Sequence, residues 1–173
     1  MGEVVALILL AIVLPFGIGA VIGAPYVPVL RRDSRRVLEL LDLKPGQTLV
    51  DLGSGDGRLL RAAAARGIRC IGYEINPYLV WVSRLVCLRY RRLVTIHTAD
   101  FWRTKLPPAD AVYVFMLDRY MTRLDQKLAH EAIRPLRLVS YAFDIPGRTP
   151  TKRTHNTFVY EYKPKKPAPD LKS

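Results

Sequence analysis

Little in this chain suits a metal or a thiol site. Cysteine occurs twice in 173 residues, at Cys70 and Cys87, 17 positions apart and outside any CxxC pair. That spacing excludes a four-thiolate zinc cluster and offers no disulfide scaffold, so a reducing compartment is the simpler reading. The three histidines, His97, His130 and His155, are scattered and give no metal-ligand spacing. No Ser-His-Asp arrangement is visible. Acidic residues are scarce as well: 15 Asp+Glu stand against 27 Lys+Arg, a formal net charge of +12. The partners expected of such a chain are anionic, whether lipid head groups, nucleic acid or a charged cofactor. Half of the residues are hydrophobic, which excludes whole-chain disorder and allows one domain with a real core plus one appended element.

Charge is missing altogether from Val4 to Ala24, a run of 21 residues. At ~1.5 Å per residue a helix of that length reaches roughly 31 Å, close to a hydrocarbon core of about 30 Å. A cleaved signal peptide needs a basic n-region, and only Glu3 precedes this run. A buried core helix would show a polar face. Residues 1–24 are therefore expected to form a single-pass membrane anchor, bent or closely approached at Pro15, Gly17 and Gly19. Arg31, Arg32, Arg35 and Arg36 follow directly. Basic flanks stay inside, so the rest of the chain belongs on the cytoplasmic side, or the interior side of an organelle, with these arginines near anionic head groups.

Past Pro25 and Pro28 the pattern changes. Ser34 can cap a short helix to about Asp42. TLVDLG, IRCIGYE, LVTIHTAD, AVYVFML and LRLVSYAF read as buried strands. Helices stand between them: RLLRAAAARG, closed by Gly67; a helix capped by Asn76 with Pro77 in its first turn, running to about Tyr90; and one at about 119–132. HNTFVYEYK alternates and suits a final antiparallel strand on the open edge. Alternating strands and helices imply an α/β fold, a mostly parallel sheet covered on both faces, over residues 25–162. The Lys/Pro-rich stretch 163–173 is expected to be a disordered tail. In such sheets ligands bind beyond the carboxyl ends of the strands, where strand order reverses.

The residues after the first strand carry the chemistry. Asp51-Leu52-Gly53-Ser54-Gly55-Asp56-Gly57-Arg58 follows a strand and opens a helix, so its backbone can turn sharply around a ligand. Glu74 ends the next strand, 19 positions after Gly55, where a carboxylate can accept from both hydroxyls of a ribose. A dinucleotide site wants GxGxxG, and here Arg58 stands where the third glycine would be. Asp51 and Asp56 would repel a pyrophosphate. They suit a cation, and S-adenosylmethionine carries an ammonium and a sulfonium and no phosphate. Asp51 is the candidate for reaching the amino group, directly or through water.

VDLGSGDGR followed by GYEINP resembles the Rossmann-like, seven-strand-type S-adenosylmethionine-dependent methyltransferases. More narrowly, PYVPV at 25–29, GYEINPYLV, ADFW, MTRLDQKL and SYAFDIPG resemble the small membrane-anchored protein lysine methyltransferases, the family of the mitochondrial enzymes acting on the c-type subunit of ATP synthase and on the adenine nucleotide translocase. The resemblance implies that Asp51, Gly53, Ser54 and Gly55 line the methionine end of the cofactor. It further implies that Glu74 holds the ribose, that Asp100 faces the adenine amino group and that Phe101 flanks the ring. Asn76 also faces the cofactor on this reading. The acceptor side departs from the family pattern. Leu117-Asp118-Arg119 stands where relatives have a Val-Pro-Gln-like segment, and Arg148 stands where an aromatic residue is expected after Pro146-Gly147. Asp118 and Tyr141 are the candidate acceptor-side catalytic residues, Asp118 by orienting or deprotonating an incoming ammonium. Asp118 as a helix cap and Tyr141 as core packing are the competing structural roles. The implied substrate is a membrane-embedded protein, and no metal is implied. A small-molecule or lipid methyltransferase remains an alternative. So does an RNA methyltransferase or basic nucleic-acid binder, for which Arg84, Arg89, Arg91 and Arg92 speak.

Overall fold

The computed structural model describes residues 2, 3, 5 and 31–164. Nearly all of the expected anchor, and the tail from residue 165 on, therefore lie outside the described residues. Among those described, no helix is long and apolar enough to cross a membrane.

The elements in chain order are α1 (Arg31–Leu41), β1 (Thr48–Leu52), α2 (Arg58–Ala64), β2 (Arg69–Glu74), α3 (Pro77–Val86), β3 (Val94–Thr98), β4 (Ala111–Phe115), α4 (Met121–Glu131), β5 (Leu136–Tyr141), β6 (Lys152–Thr154) and β7 (Thr157–Tyr162). They build a seven-stranded sheet in the order β3-β2-β1-β4-β5-β7-β6. β1 to β5 run parallel, and β7 runs antiparallel to β5. The Rossmann-like α/β fold expected of the sequence is the one observed. Chain order reverses between β1 and β4, which places a cleft at the carboxyl ends of these two strands.

Two apolar layers sandwich the sheet. On one face Val37, Leu41, Leu60, Ala63 and Val80 from α1, α2 and α3 pack over Leu49 and Cys70; on the other Met121, Leu124 and Leu128 of α4 pack over Val50, Leu52 and Val112. β1 is buried along almost all its length because helices cover both of its faces. Cys87 is buried in the first layer, with its thiol against the Gly57 carbonyl at 3.5 Å, a core role.

Three local expectations are corrected. Ser34 does not cap the first helix: that helix already includes Arg31, and Ser34 is buried within it. The helix after Pro77 ends at Val86 and tightens into a 3₁₀ turn at Leu88–Tyr90. The final strand is not the edge. β7 lies between β5 and β6, and the short strand Lys152–Thr154 occupies the edge. Thr154 pairs with Thr157, so a two-residue turn at His155-Asn156 joins these strands, with His155 at φ 47°. A three-residue Lys-Arg-Thr strand has no apolar pattern to announce it, and its charge suits an exposed edge.

Candidate active site

The glycine loop leaves β1 and is tied to β2 as well as to itself. The N–H groups of Gly53 and Ser54 both donate to the Tyr73 carbonyl at 2.9 Å. The Gly55 N–H donates to one Glu74 carboxylate oxygen and the Asn76 N–H to the other, each at 2.9 Å. Glu74 thus braces the loop and the start of α3 together. A carboxylate offers about four acceptor positions, so two accepted bonds leave Glu74 able to accept from a ribose. Asn76 caps α3, its Oδ1 accepting from Tyr78 and Leu79 at 3.0 and 3.4 Å, with Pro77 in the first turn as expected.

Two glycines make the loop possible by close approach. A Cβ on Gly57 would lie 2.7 Å from the Ser83 Cβ and 3.3 Å from the Cys87 thiol, and Gly57 holds φ 76°, open to few L side chains. Gly57 therefore sets α2 against α3. Gly72, opposite Asp51 in the sheet, would with a Cβ collide with Ser54, whose Oγ would be 2.7 Å away. Sequence reasoning missed Gly72; the only signal was a glycine inside an otherwise apolar strand.

Asp51 ends buried, and its Oδ1 has no hydrogen-bond partner; nor has the Ser54 Oγ. Burial first, then the neighbouring Glu74 and Asp56 carboxylates, push Asp51 up to about 8. A cationic donor answers both conditions: it satisfies the orphaned oxygen and restores the charged form. This also revises the electrostatics of the loop. Asp56 is not a free anion, because Arg58 grips it with its Nε 2.8 Å from Oδ2 and 3.0 Å from Oδ1. Repulsion of a pyrophosphate by two carboxylates is thus weaker than the sequence implied. The argument for a cation now rests on the buried Asp51.

Asp100 closes β3. Its Oδ1 accepts from the Trp102 N–H at 2.9 Å, starting a 3₁₀ turn at Phe101–Arg103. The adjoining loop is held down by α4, with Lys127 donating to the Thr104 carbonyl at 2.8 Å and Glu131 accepting from the Leu106 N–H at 2.8 Å. An aromatic row runs from there toward the β4 end: Phe101 to Trp102 at 4.7 Å, Trp102 to Tyr120 at 6.2 Å, with Arg123 over Trp102 at 4.2 Å. Trp102 and Tyr120 were not among the predicted site residues, since neither belongs to the glycine-loop pattern.

Of the two candidate acceptor-side residues, Asp118 lies just past β4 and Tyr141 ends the neighbouring β5, its ring meeting Phe115 edge-on at 5.8 Å. Tyr141 is half-buried against the core. Asp118 is exposed and does not cap α4: its Oδ1 accepts from the Arg119 N–H at 2.7 Å within a 3₁₀ turn, and α4 starts three residues later without a side-chain cap. Immediately after Tyr141, Ala142 holds φ 76°, a left-handed conformation uncommon for alanine. Arg148, the departure after Pro146-Gly147, is a fastener. It pairs with Asp125 of α4 at 2.5 Å, donates to the Glu161 carbonyl at 2.8 Å and lies 4.0 Å over the Tyr162 ring. His97 stacks on Tyr73 at 5.3 Å, a structural role.

Comparison with known proteins places this geometry. The chain is 34% identical over 128 residues to the human lysine N-methyltransferase named for the C-type subunit of ATP synthase, covering 73% of this chain and 54% of that one. It is 40% identical over 129 residues to the mouse adenine nucleotide translocase lysine N-methyltransferase, covering 73% and 56%. The chain thus spans little more than half the length of these curated relatives. Among solved structures it is similar to an RNA methyltransferase from Salinibacter ruber in complex with S-adenosylhomocysteine, at TM-score 0.73 and 30% identity, covering 85% of this chain and all of that one. The cofactor is S-adenosylmethionine, and the buried carboxyl of Asp51 and the spare acceptor capacity of Glu74 fit it. The matching family model runs over residues 51–152, from the aspartate in β1 to the first residue of β6, and the chain belongs to that family, the ANTKMT methyltransferase domain.

Proposed function

We propose that this protein transfers a methyl group from S-adenosylmethionine to a lysine side chain of a membrane-associated protein. On this reading the catalytic domain sits on the cytoplasmic or organelle-interior side, tethered by residues 1–24. The observation that carries the reading is the identity of 34–40% to relatives named as lysine N-methyltransferases of an ATP synthase component and of the adenine nucleotide translocase. The charge-free run from Val4 to Ala24 supports the tether.

Each residue then has a task. Asp51, with its unpartnered buried oxygen, holds the ammonium, directly or through water. Gly53, Ser54 and Gly55 shape the loop around the methionine end. Glu74 accepts from the ribose while fixing that loop, and Asn76 holds the start of α3 in register with it. Asp100 meets the adenine amino group, and Phe101 covers the ring. When bound, the cofactor would supply an activated methyl group carried on a sulfonium, whose sulfur can leave as a neutral thioether. The enzyme's share is alignment and exclusion of water. A lysine has a free pKa of about 10.4, so arriving neutral near pH 7 costs roughly 4–5 kcal/mol. Asp118 at the mouth orients the ammonium or takes its proton, and Tyr141 lines the approach.

An RNA acceptor is the second reading, favoured by the likeness to the Salinibacter ruber enzyme and by the arginines between α2 and β3. Labelled methyl transfer into total membranes decides. Label in the protein fraction, recovered as methyl-lysine, is expected. Label only in RNA or only in lipid overturns the proposal. The Glu74→Ala variant should bind S-adenosylhomocysteine at least 100-fold more weakly by calorimetry. Two backbone N–H groups lose a charged acceptor, at about 1.5–3 kcal/mol each, along with the ribose contact.

A further inference from the structure

Among the described residues, eight large apolar side chains are more than a third exposed, and six of them lie between Ile75 and Leu88. Tyr78, Trp81, Leu85 and Leu88 recur at helical spacing on α3 and the turn after it, and are 52%, 59%, 52% and 58% exposed. The opposite side of α3 is buried through Leu79, Val80 and Ser83. An ordinary surface helix carries charge on its outer side; this one is apolar on both. The surroundings are basic. From Gly57 to Ala99 the chain has eight arginines and one acid, the buried Glu74. Among the described residues no carboxylate pairs with Arg61, Arg66, Arg89, Arg91 or Arg92. Val86 joins the stripe to a cleft of about 700 Å³ between α1 and α2, where Arg35, Arg61 and Arg66 line the wall beside Arg58, which is held by Asp56 in the same wall.

We propose that the outer side of α3 and this arginine cleft form a surface that docks on an anionic phospholipid bilayer, with Trp81, Leu85 and Leu88 entering the interface and the arginines meeting lipid phosphates. The two halves of the observation select this occupant. Tryptophan and tyrosine favour the head-group level, leucine the acyl boundary, and each arginine near an anionic surface adds to the attraction. A second copy of the chain would bring arginine against arginine. The chain's own run from Val4 to Ala24 has no charge to answer them. RNA would answer the arginines and leave Leu85 and Leu88 in water. The inference rests on the proposed membrane location and extends it: the tethered domain also lies down on the bilayer. Tyr78 stands two residues after Asn76, so the stripe begins beside the cofactor loop.

The full chain with Trp102→Phe leaves Trp81 as the sole tryptophan. It is reconstituted in vesicles of phosphatidylcholine alone or with 30 mol% phosphatidylglycerol, with or without lipid brominated near the head group. Trp81 emission is expected to fall at least twofold with bromolipid in the anionic vesicles. The Arg89→Glu/Arg91→Glu/Arg92→Glu variant should remove most of that quenching. Vesicle flotation without Trp81 quenching would leave the tether standing and overturn the docking surface. Quenching confined to anionic vesicles, in a chain released from them by salt, would support the surface and sink the tether. Failure to float with either vesicle sinks both. Quenching by a single-stranded RNA oligonucleotide and not by bromolipid overturns the proposal, as does a Trp81 environment that changes only with protein concentration. If Trp102→Phe does not fold, a nitroxide on Leu85→Cys reports the same contact through its oxygen accessibility, since Cys70 and Cys87 are buried and escape labelling.

Discussion

On the β1–β2 side of the molecule the carboxyl groups of Asp51 and Glu74 are buried, and backbone N–H groups answer Glu74 while one oxygen of Asp51 is answered by nothing; on the β5–β7 side those of Asp125 and Glu161 are more exposed and are answered by arginines. Glu74 accepts from Gly55 and Asn76, and one oxygen of Asp51 is left open. Across the sheet, Asp125 takes Arg148 and the Tyr162 hydroxyl, Glu161 and Asp42 take Arg137, and Asp110 takes Arg134. Backbone donors come from a loop whose shape is fixed over a few residues. Arginine partners are separated by 23 or 24 positions in the Arg148–Asp125, Arg137–Glu161 and Arg134–Asp110 pairs. The first side is therefore built for a ligand of one shape and charge, and the second for holding the sheet closed.

The largest test of this contrast is the pH dependence of stability. Asp51 has its folded pKa raised to about 8 from 3.8. Between those values the unfolded chain has released the proton and the folded chain keeps it, so folding stability falls as pH rises through that window. The contribution linked to the Asp51 proton is fully present below about pH 4 and lost above about pH 8. A shift of that size corresponds to roughly 6 kcal/mol at about 1.36 kcal/mol per unit. Urea unfolding of the ligand-free protein at pH 5 and pH 8 should show a drop that Asp51→Asn lacks. An unchanged difference between the two proteins would mean Asp51 is ionised and partnered. Adding S-adenosylhomocysteine brings an ammonium to the site and should draw a proton off Asp51 at pH 7, read as a buffer-dependent binding enthalpy.

A smaller effect is expected where the loop meets α3. Gly57→Ala places a methyl 2.7 Å from the Ser83 Cβ in a left-handed conformation. Overpacking and backbone strain together should cost about 2–4 kcal/mol. Cofactor affinity should fall with it, because Gly57 donates to the Ser54 carbonyl inside the loop at 3.0 Å. A stable variant with full affinity would show that the two helices can part without disturbing the loop.

The contrast also explains what could be read from the chain. β1 to β5, the glycine loop, the Asn76 cap and the place of Glu74 at the end of β2 follow from local patterns, namely apolar runs, a turn that only glycine makes, and a cap with proline behind it; the bonds by which Glu74 braces Gly55 and Asn76 do not. The edge strand Lys152–Thr154, the pairing of Asp56 with Arg58 and the role of Arg148 do not. They depend on which distant residue arrives, and a charged side chain carries no mark of its partner. Ala142 at φ 76° is of the same kind: its N–H donates to the Asn156 carbonyl at 2.6 Å, a contact made by the β6–β7 turn.

The least costly substitution is the sharpest test of separation. Arg148→Ala removes an ion pair whose side chains are 30% and 26% exposed, one bond to the Glu161 carbonyl and a contact over Tyr162. A partly screened pair contributes up to about 1 kcal/mol, a cation over an aromatic ring about 0.5–1 and the bond about 1. Their overlap leaves a loss of about 2 kcal/mol, softened because Asp125 keeps the Tyr162 hydroxyl at 2.7 Å. Thermal unfolding should show that loss, while calorimetry with S-adenosylhomocysteine should give an affinity within twofold of the parent. If affinity falls tenfold instead, Arg148 reaches the cofactor loop through α4, whose Lys127 and Glu131 hold the segment after Asp100. The two sides would then be one cooperative unit, with the segment at Arg148 and the segment after Asp100 fastened to the same helix.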